Sequence, residues 1–278
     1  MMHHVVHPGP IHPDRLDLHK CEGRDISLTL QPDMPLEDAV AKALSKEDID
    51  SAWLEIKDAP VSQLDYVIPA HSDNAEHVAW YSKTYQLGAG KIDHLGMMVG
   101  RHNGKIFIHG HGLWSANHQA QAMGHILALD TKLAEPTHAQ GIGLKGVQFE
   151  RKHDDETNFE LFQLNSTGEN KGNYAGLRLK PNQDFATALN EACTRLKWPG
   201  ARAFGLGSLI GVRFEDELGF DGQPTEFLVT NAVVGLNEKE PEIAIVGVDG
   251  SNILSGRLAR GKNAILITAE LVLRRTEN

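Results

Sequence analysis

The chain carries the same stretch of pattern twice, 149 positions apart. Residues 26–44 read ISLTLQPDMPLEDAVAKAL and residues 175–193 read AGLRLKPNQDFATALNEAC. The shift sets Leu28 on Leu177, Leu30 on Leu179, Pro32 on Pro181, Leu36 on Phe185, Ala39 on Ala188 and Ala43 on Ala192. Each copy alternates as a strand does, passes a turn proline, then repeats apolar residues at spacings of three and four, the period of a helix. Element order, turn proline and spacing agree together, which chance likeness between two β-rich stretches does not produce. The same shift sets Ser51-Ala52-Trp53 on Gly200-Ala201-Arg202. With small length changes, Met98-Val99-Gly100 matches Val233-Val234-Gly235 and Met123-Gly124-His125 matches Ser255-Gly256-Arg257. An internal repeat of this size makes each copy one folding unit.

After the helix, each copy continues as short strands punctuated by Gly, Asn and Asp. In the first copy these are residues 54–56, 64–68, 95–99, 106–111 and 125–129; in the second, 227–234, 242–248, 254–258 and 264–273. Strand-rich sequence with one early helix predicts an α+β fold: two tandem domains, each a mainly antiparallel β-sheet with a flanking helix. The expected boundaries are an extended arm over 1–22, a first domain over 23–153 and a second over 154–278. The seam falls at the acidic stretch His153-Asp154-Asp155-Glu156. The arm, with Pro8, Pro10 and Pro13 among histidines, either packs on a neighbouring subunit or stays a loose tail.

Net charge narrows the partners. The chain carries 37 acids against 27 bases, a net charge of −10, and the excess of acid is shared between the halves. Neither half is the basic body that holds nucleic acid through its phosphates, so nucleic acid is disfavoured as a partner. No run approaches the ~18 apolar residues of a membrane span. The first residues lack a basic stretch followed by an apolar one, so no signal peptide is expected. Two distant cysteines, Cys21 and Cys193, fit a reducing compartment, and the expected location is the cytoplasm.

All fifteen histidines lie between His3 and His153, five of them in the arm. A copy that keeps its fold pattern without histidine suggests that histidine serves chemistry, not folding, in the other. The sharpest group is Ile106-Phe107-Ile108-His109-Gly110-His111-Gly112, followed at fourteen residues by Gly124-His125. Side chains at i and i+2 of a strand share a face, so His109 and His111 converge. A hairpin would return His125 beside them. Three imidazoles leave an open coordination position, and the set suits a divalent metal, Zn²⁺ first, with Fe or Mn as alternatives. Gly110, Gly112 and Gly124 would clear space for a ligand. In the second copy the corresponding strand, Ile243 to Gly247, is apolar, and Arg257 replaces His125, either to recognise an anion or, the favoured reading, to make a structural salt bridge. Tyr81 or His77 could donate a proton from a lid over the tripod. His71, Trp80, His94, Arg101 and Trp114 complete the expected substrate pocket, with Glu156 and Asn158 at the seam. No GxxxxGK[ST], GxSxG or CxxC motif occurs.

The strand–helix opening, the HGH followed by Gly-His, and the closing Ile253-Leu254-Ser255-Gly256-Arg257-Leu258 and Leu266-Ile267-Thr268-Ala269-Glu270-Leu271 resemble the PPC domain (DUF296), shared by prokaryotic proteins and plant AT-hook proteins. The resemblance covers residues 24–150 and again 172–275. It implies an α+β fold, assembly into homotrimers and a metal held by the positions that are His109, His111 and His125 here. The chain departs from the pattern where Met123 precedes Gly124-His125, and where the second copy lacks the histidines. The Arg-Gly-Arg-Pro hook of the plant members is missing. Three functions stay open: a metal-dependent hydrolase or lyase on a small oxygen-rich or anionic substrate; a DNA-binding or regulatory protein with a structural metal; and a metabolite-sensing module. No general base is legible for the first.

Overall fold

A computed structural model describes residues 2–116, 119–235, 239–250 and 252–276. In chain order the elements are β1 (Leu16–Leu30), α1 (Leu36–Leu44), β2 (Ser51–Gln63), β3 (Asp65–Val67), β4 (Pro69–Ala70), β5 (Trp80–Tyr81), β6 (Tyr85–Gln86), β7 (Gly90–His102), β8 (Lys105–Ser115), β9 (Ala122–Ile126), β10 (Lys132–Leu133) and β11 (Thr137–Lys145). There follow β12 (Val147–Asp154), β13 (Phe159–Ser166), β14 (Tyr174–Leu179), α2 (Phe185–Leu196), β15 (Gly200–Arg213), β16 (Gly219–Asn231), β17 (Val233–Gly235), β18 (Glu242–Gly247), β19 (Ile253–Arg257) and β20 (Ile265–Arg275). Strands far outnumber the two helices, and nearly all the pairing is antiparallel.

Two ladders share one order of pairing. The first runs β1–β11–β2–β7–β8–β9. The second runs β14–β20–β15–β16–β18–β19. Register agrees as well as order: Ala52 pairs with Val99, and Ala201 pairs with Val234. One strand joins the ladders, since Leu16–Cys21 of β1 pairs with β14 while Glu22–Leu30 pairs with β11.

Each helix follows the first strand of its ladder and buries one stripe. Leu36, Ala39, Val40 and Leu44 of α1 are buried, with Glu37 and Asp38 in the first turn where the helix dipole favours acid. In α2, Asp184 caps the start by accepting from the Thr187 amide at 3.0 Å, and Lys197 closes the end in the left-handed conformation. Each fully buried Leu or Val of these stripes contributes about 1.5–3 kcal/mol.

Alternation along the strands builds three apolar layers. Leu54, Ile56, Met97 and Val99 face α1, whereas Trp53 and Met98, one position over, face the other way. Ala269, Leu271 and Leu273 face α2, whereas Val272 turns away. The turned-away residues of both ladders meet in one cluster, with Trp53, Met98 and Met123 against Leu206, Leu228 and Val272. Strands buried on both faces read as continuous apolar runs, which is why Ile265–Leu273 shows little alternation in sequence.

Two expectations change. The acidic stretch expected as a seam is the tight turn of the β12–β13 hairpin, where Thr157 N donates to Asp154 Oδ1 at 2.9 Å. The arm ends earlier than 22, because β1 starts at Leu16, and it packs on the second half of its own chain. Val5 N donates to Asn182 Oδ1 at 2.9 Å, His7 Nε2 meets Leu266 O at 2.8 Å, and Arg15 grips Glu156 through two bonds of 2.7 and 2.9 Å.

Candidate metal centre

Strand period decides where the histidines face. Ile108 of β8 packs in the layer beneath α1, so His109 and His111, one and three positions on and therefore of opposite parity, project into the space between the ladders. The β8–β9 hairpin sets His111 and His125 directly opposite one another. The ligating atoms of His109, His111 and His125 lie within 4.8 Å of one another, as the i, i+2 spacing and the hairpin predict.

The facing ladder adds two carboxylates and a carbonyl to the three imidazoles. His109 Nδ1 donates to Glu270 Oε2 at 2.7 Å, and His111 Nδ1 donates to the Phe227 carbonyl at 2.9 Å. With both Nδ1 protons committed, the Nε2 lone pairs of the two rings face each other at 3.2 Å. Two bare lone pairs at that distance repel, and a cation between them, a proton or a metal ion, removes the repulsion. Glu226 brings Oε1 to 3.6 Å from His111 Nε2, and its buried Oε2 has no hydrogen-bond partner. Three imidazoles, a buried carboxylate with a free oxygen and fixed Nδ1 tautomers are a donor set that fits a divalent ion.

Glu270 is itself held. Thr268 Oγ1 donates to Glu270 Oε1 at 3.2 Å, and Arg178 Nε donates to Thr268 Oγ1 at 3.4 Å. Arg178, fully buried, binds Asp154 Oδ2 at 2.5 Å. A hydrogen-bonded line thus runs from the Asp154–Arg178 pair through Thr268 and Glu270 to the His109 ring.

Burial sets the protonation states. It holds the His111 and His125 pKa values well below the usual imidazole range, with the His109 charge as the next cause, so both rings are neutral at pH 7. Burial alone pushes the Glu226 carboxyl up to about 8. Tyr81 has its ring partly exposed and its hydroxyl turned inward, 3.4 Å from His125 Nδ1. Burial of that hydroxyl, then the Glu226 and Glu270 charges, raises its pKa well above 10, so it remains a proton-bearing donor.

A cavity of about 390 Å³ opens beside the histidines and is lined by His77, Trp80, Tyr81, His109, His125 and Glu270, among others. A narrower apolar recess adjoins it, where Trp80, Tyr81 and Phe159 meet Thr225, Glu226 and Thr268 of the facing ladder. His77 packs tilted against Trp80 and edge-on against Phe159, and its Nε2 meets the Asn158 carbonyl at 3.0 Å. His77, Trp80 and Tyr81 therefore line the cavity beside the histidines.

The other expected pocket residues lie elsewhere. His71 is exposed on the loop after β4 and lines neither space. His94 sits 3.6 Å from Glu55, and Arg101 bonds the Gly104 carbonyl at the β7–β8 turn. Trp114 is fully buried under α1, tilted against Tyr66, because its position on β8 has the opposite parity to His109 and His111. Glu156 belongs to the arm through Arg15. Gly112 and Gly124 serve strand contact: a Cβ would come within 2.7 Å of the His94 carbonyl and 2.3 Å of the Val67 carbonyl, respectively. Arg257 bonds Glu242 at 2.5 Å and Glu215 at 3.4 Å, an ion-pair cluster where the first ladder has His111 opposite His125.

Neither Glu226 nor Glu270 belongs to the histidine pattern that marks the site in the sequence. The available signal was a carboxylate inside an apolar run, as in Leu266-Ile267-Thr268-Ala269-Glu270-Leu271.

No family model matches the chain, and no curated protein matches it. Several solved structures do. A metal-containing protein from Archaeoglobus fulgidus is 19% identical, with 53% of this chain and 97% of that chain covered and a TM-score of 0.39. A Ralstonia eutropha protein assigned provisionally to DNA binding is 16% identical, covering 54% of this chain and 89% of its own, at a TM-score of 0.35. The chain is also similar to a plant- and prokaryote-conserved (PPC) protein from Pyrococcus horikoshii, 20% identical, with 54% of this chain and 92% of that chain covered and a TM-score of 0.34.

Proposed function

We propose that the chain is a tandem pair of α+β domains that hold a divalent metal, Zn²⁺ first, between their facing sheets. We further propose that the centre performs hydrolase- or lyase-type chemistry on a small oxygen-rich or anionic substrate. The observation that carries the reading is the 3.2 Å approach of the His109 and His111 Nε2 atoms, with both Nδ1 protons already given away. The shared pairing order of the two ladders supports the tandem arrangement.

A bound ion would polarise a substrate oxygen or lower the pKa of a water. The chain's own groups have separate tasks. Glu270 fixes the His109 ring and raises its basicity. Glu226, buried and with one oxygen free, takes up or returns a proton beside the histidines. Tyr81 keeps its proton and donates a hydrogen bond. Trp80 and Phe159 limit the access of water from the open side.

Metal content of tag-free protein tests the reading, with His111→Ala alongside. The expected result is about one ion per chain in the parent and none in the variant, which stays folded. A parent that takes up no ion after reconstitution would sink it. Assembly as a homotrimer, implied by the family resemblance, belongs to the same proposal and is read by light scattering.

A further inference from the structure

Arg151 lines the same cavity as His109 and His125, and among the described residues it is the only Arg or Lys that does. No carboxylate lies within 4.0 Å of it among the described residues, although the chain's other arginines near the domain contact, Arg15 and Arg178, are both paired. Its guanidinium lies 4.8 Å above the Phe107 ring, which packs edge-on against Phe162 at 5.5 Å. Stacking of this kind pre-orients the guanidinium plane and leaves its N–H edge for a planar anion. Phe107 precedes His109 by two positions on β8, so ring and imidazole share a face about 7 Å apart. The cavity's acids are otherwise engaged: Glu270 with His109, and Glu160 3.9 Å from His153.

We propose that Arg151 is the carboxylate-binding residue of the cavity. The ligand is a short hydroxy- or oxo-carboxylic acid whose carboxylate meets Arg151 and whose second oxygen meets the three-histidine centre. The second half rests on the metal reading; the first does not. A guanidinium binds a carboxylate through two parallel bonds, which a lysine cannot copy. Arg151 and the histidines open onto one cavity, and a short acid spans a distance of the order of the two-residue step from Phe107 to His109 along β8.

The test is a ligand-observed NMR titration of the zinc-loaded and the metal-free protein with pyruvate and with its neutral methyl ester. Pyruvate should bind more tightly than the ester in both forms. Arg151→Met should weaken pyruvate roughly 10- to 100-fold, the loss expected for a charge-assisted bond, and leave the ester and the metal content unchanged. Arg151→Lys should recover part of the loss. Equal binding of acid and ester, unchanged pyruvate binding in Arg151→Met, or no pyruvate binding in either form overturns the proposal. Should Arg151→Met fail to fold, Arg151→Lys and the acid–ester comparison on the parent decide it. Failure of the metal reading shows separately, as absence of bound zinc with the Arg151-dependent preference intact in the metal-free protein.

Discussion

His109 and Glu270 are 161 positions apart, on β8 and β20, and their side chains meet at 2.7 Å. The histidines come from one half of the chain and the group that orients them comes from the other. The second half, which has no histidine of its own, is therefore part of the site and not a spacer beside it.

Glu270→Gln should keep the fold and weaken metal affinity about 10- to 100-fold, the usual loss on removing the group that fixes a ligating imidazole. Competition with a chromogenic chelator measures this directly. Thr268→Val, which removes the 3.2 Å bond to Glu270 Oε1, should weaken affinity in the same direction but by less. An affinity unchanged in Glu270→Gln would detach the second half from the centre.

Glu226 gives the metal-free protein a distinct pH response. Its folded pKa of about 8 lies above the ordinary carboxylate value of 4.5, so its contribution to stability is complete below 4.5 and is lost as pH rises through 8. Glu226→Gln has no proton to lose. In metal-free protein the variant should melt close to the parent at pH 5 and clearly above it at pH 9, by a few kcal/mol of stability. Thermal melts at the two pH values read the difference, and a variant less stable than the parent at pH 9 contradicts it.

The Asp154–Arg178 pair predicts the acid limb. Burial raises the Asp154 pKa, but the Arg178 charge and the hydrogen bonds from Arg178 and Thr157 outweigh it, leaving the carboxyl well below its ordinary range. A depressed carboxylate stabilises above its unfolded pKa, 3.8, and that stability is lost as pH falls through the folded value. Asp154→Asn leaves the buried Arg178 with only the more distant Asp17, 3.7 Å away, as counter-ion and should cost up to about 3–5 kcal/mol at pH 7 in a urea melt. The difference from the parent should shrink below pH 3.

Gly124→Ala tests whether that glycine serves the strand or the ligand. An added methyl would sit 2.3 Å from the Val67 carbonyl, so the β3–β9 pairing must open and His125 must shift. Lower melting temperature together with weaker metal binding is expected. A loss of binding at unchanged stability would return the glycine to the ligand.

Much of this was readable from residue pattern. The 149-position repeat placed both helices and the first strands, because turn proline, strand alternation and helical spacing are local properties. The HGH and Gly-His spacing placed three imidazoles together, because strand parity and a hairpin are local as well. What pattern could not give is which faces of the two sheets meet. Glu226 and Glu270 join the histidines only through that packing, Arg151 reaches them through the β12–β7 pairing within their own sheet, and Trp114 leaves the pocket by the parity of a single position. His94 and Arg101 are near in sequence to the tripod, yet β7 directs them to Glu55 and to a surface turn.

Metal content shows that an ion binds, and its position shows where, since the arm carries His3, His4, His7 and His12 as well. The most direct measurement is the anomalous diffraction of a zinc-loaded crystal at the zinc edge. The account predicts a strong peak ringed by the His109, His111 and His125 imidazoles, with the Glu270 carboxylate behind His109 and the Glu226 carboxylate facing the ion. A peak confined to the arm histidines, with the three rings still in contact and empty between them, would contradict it.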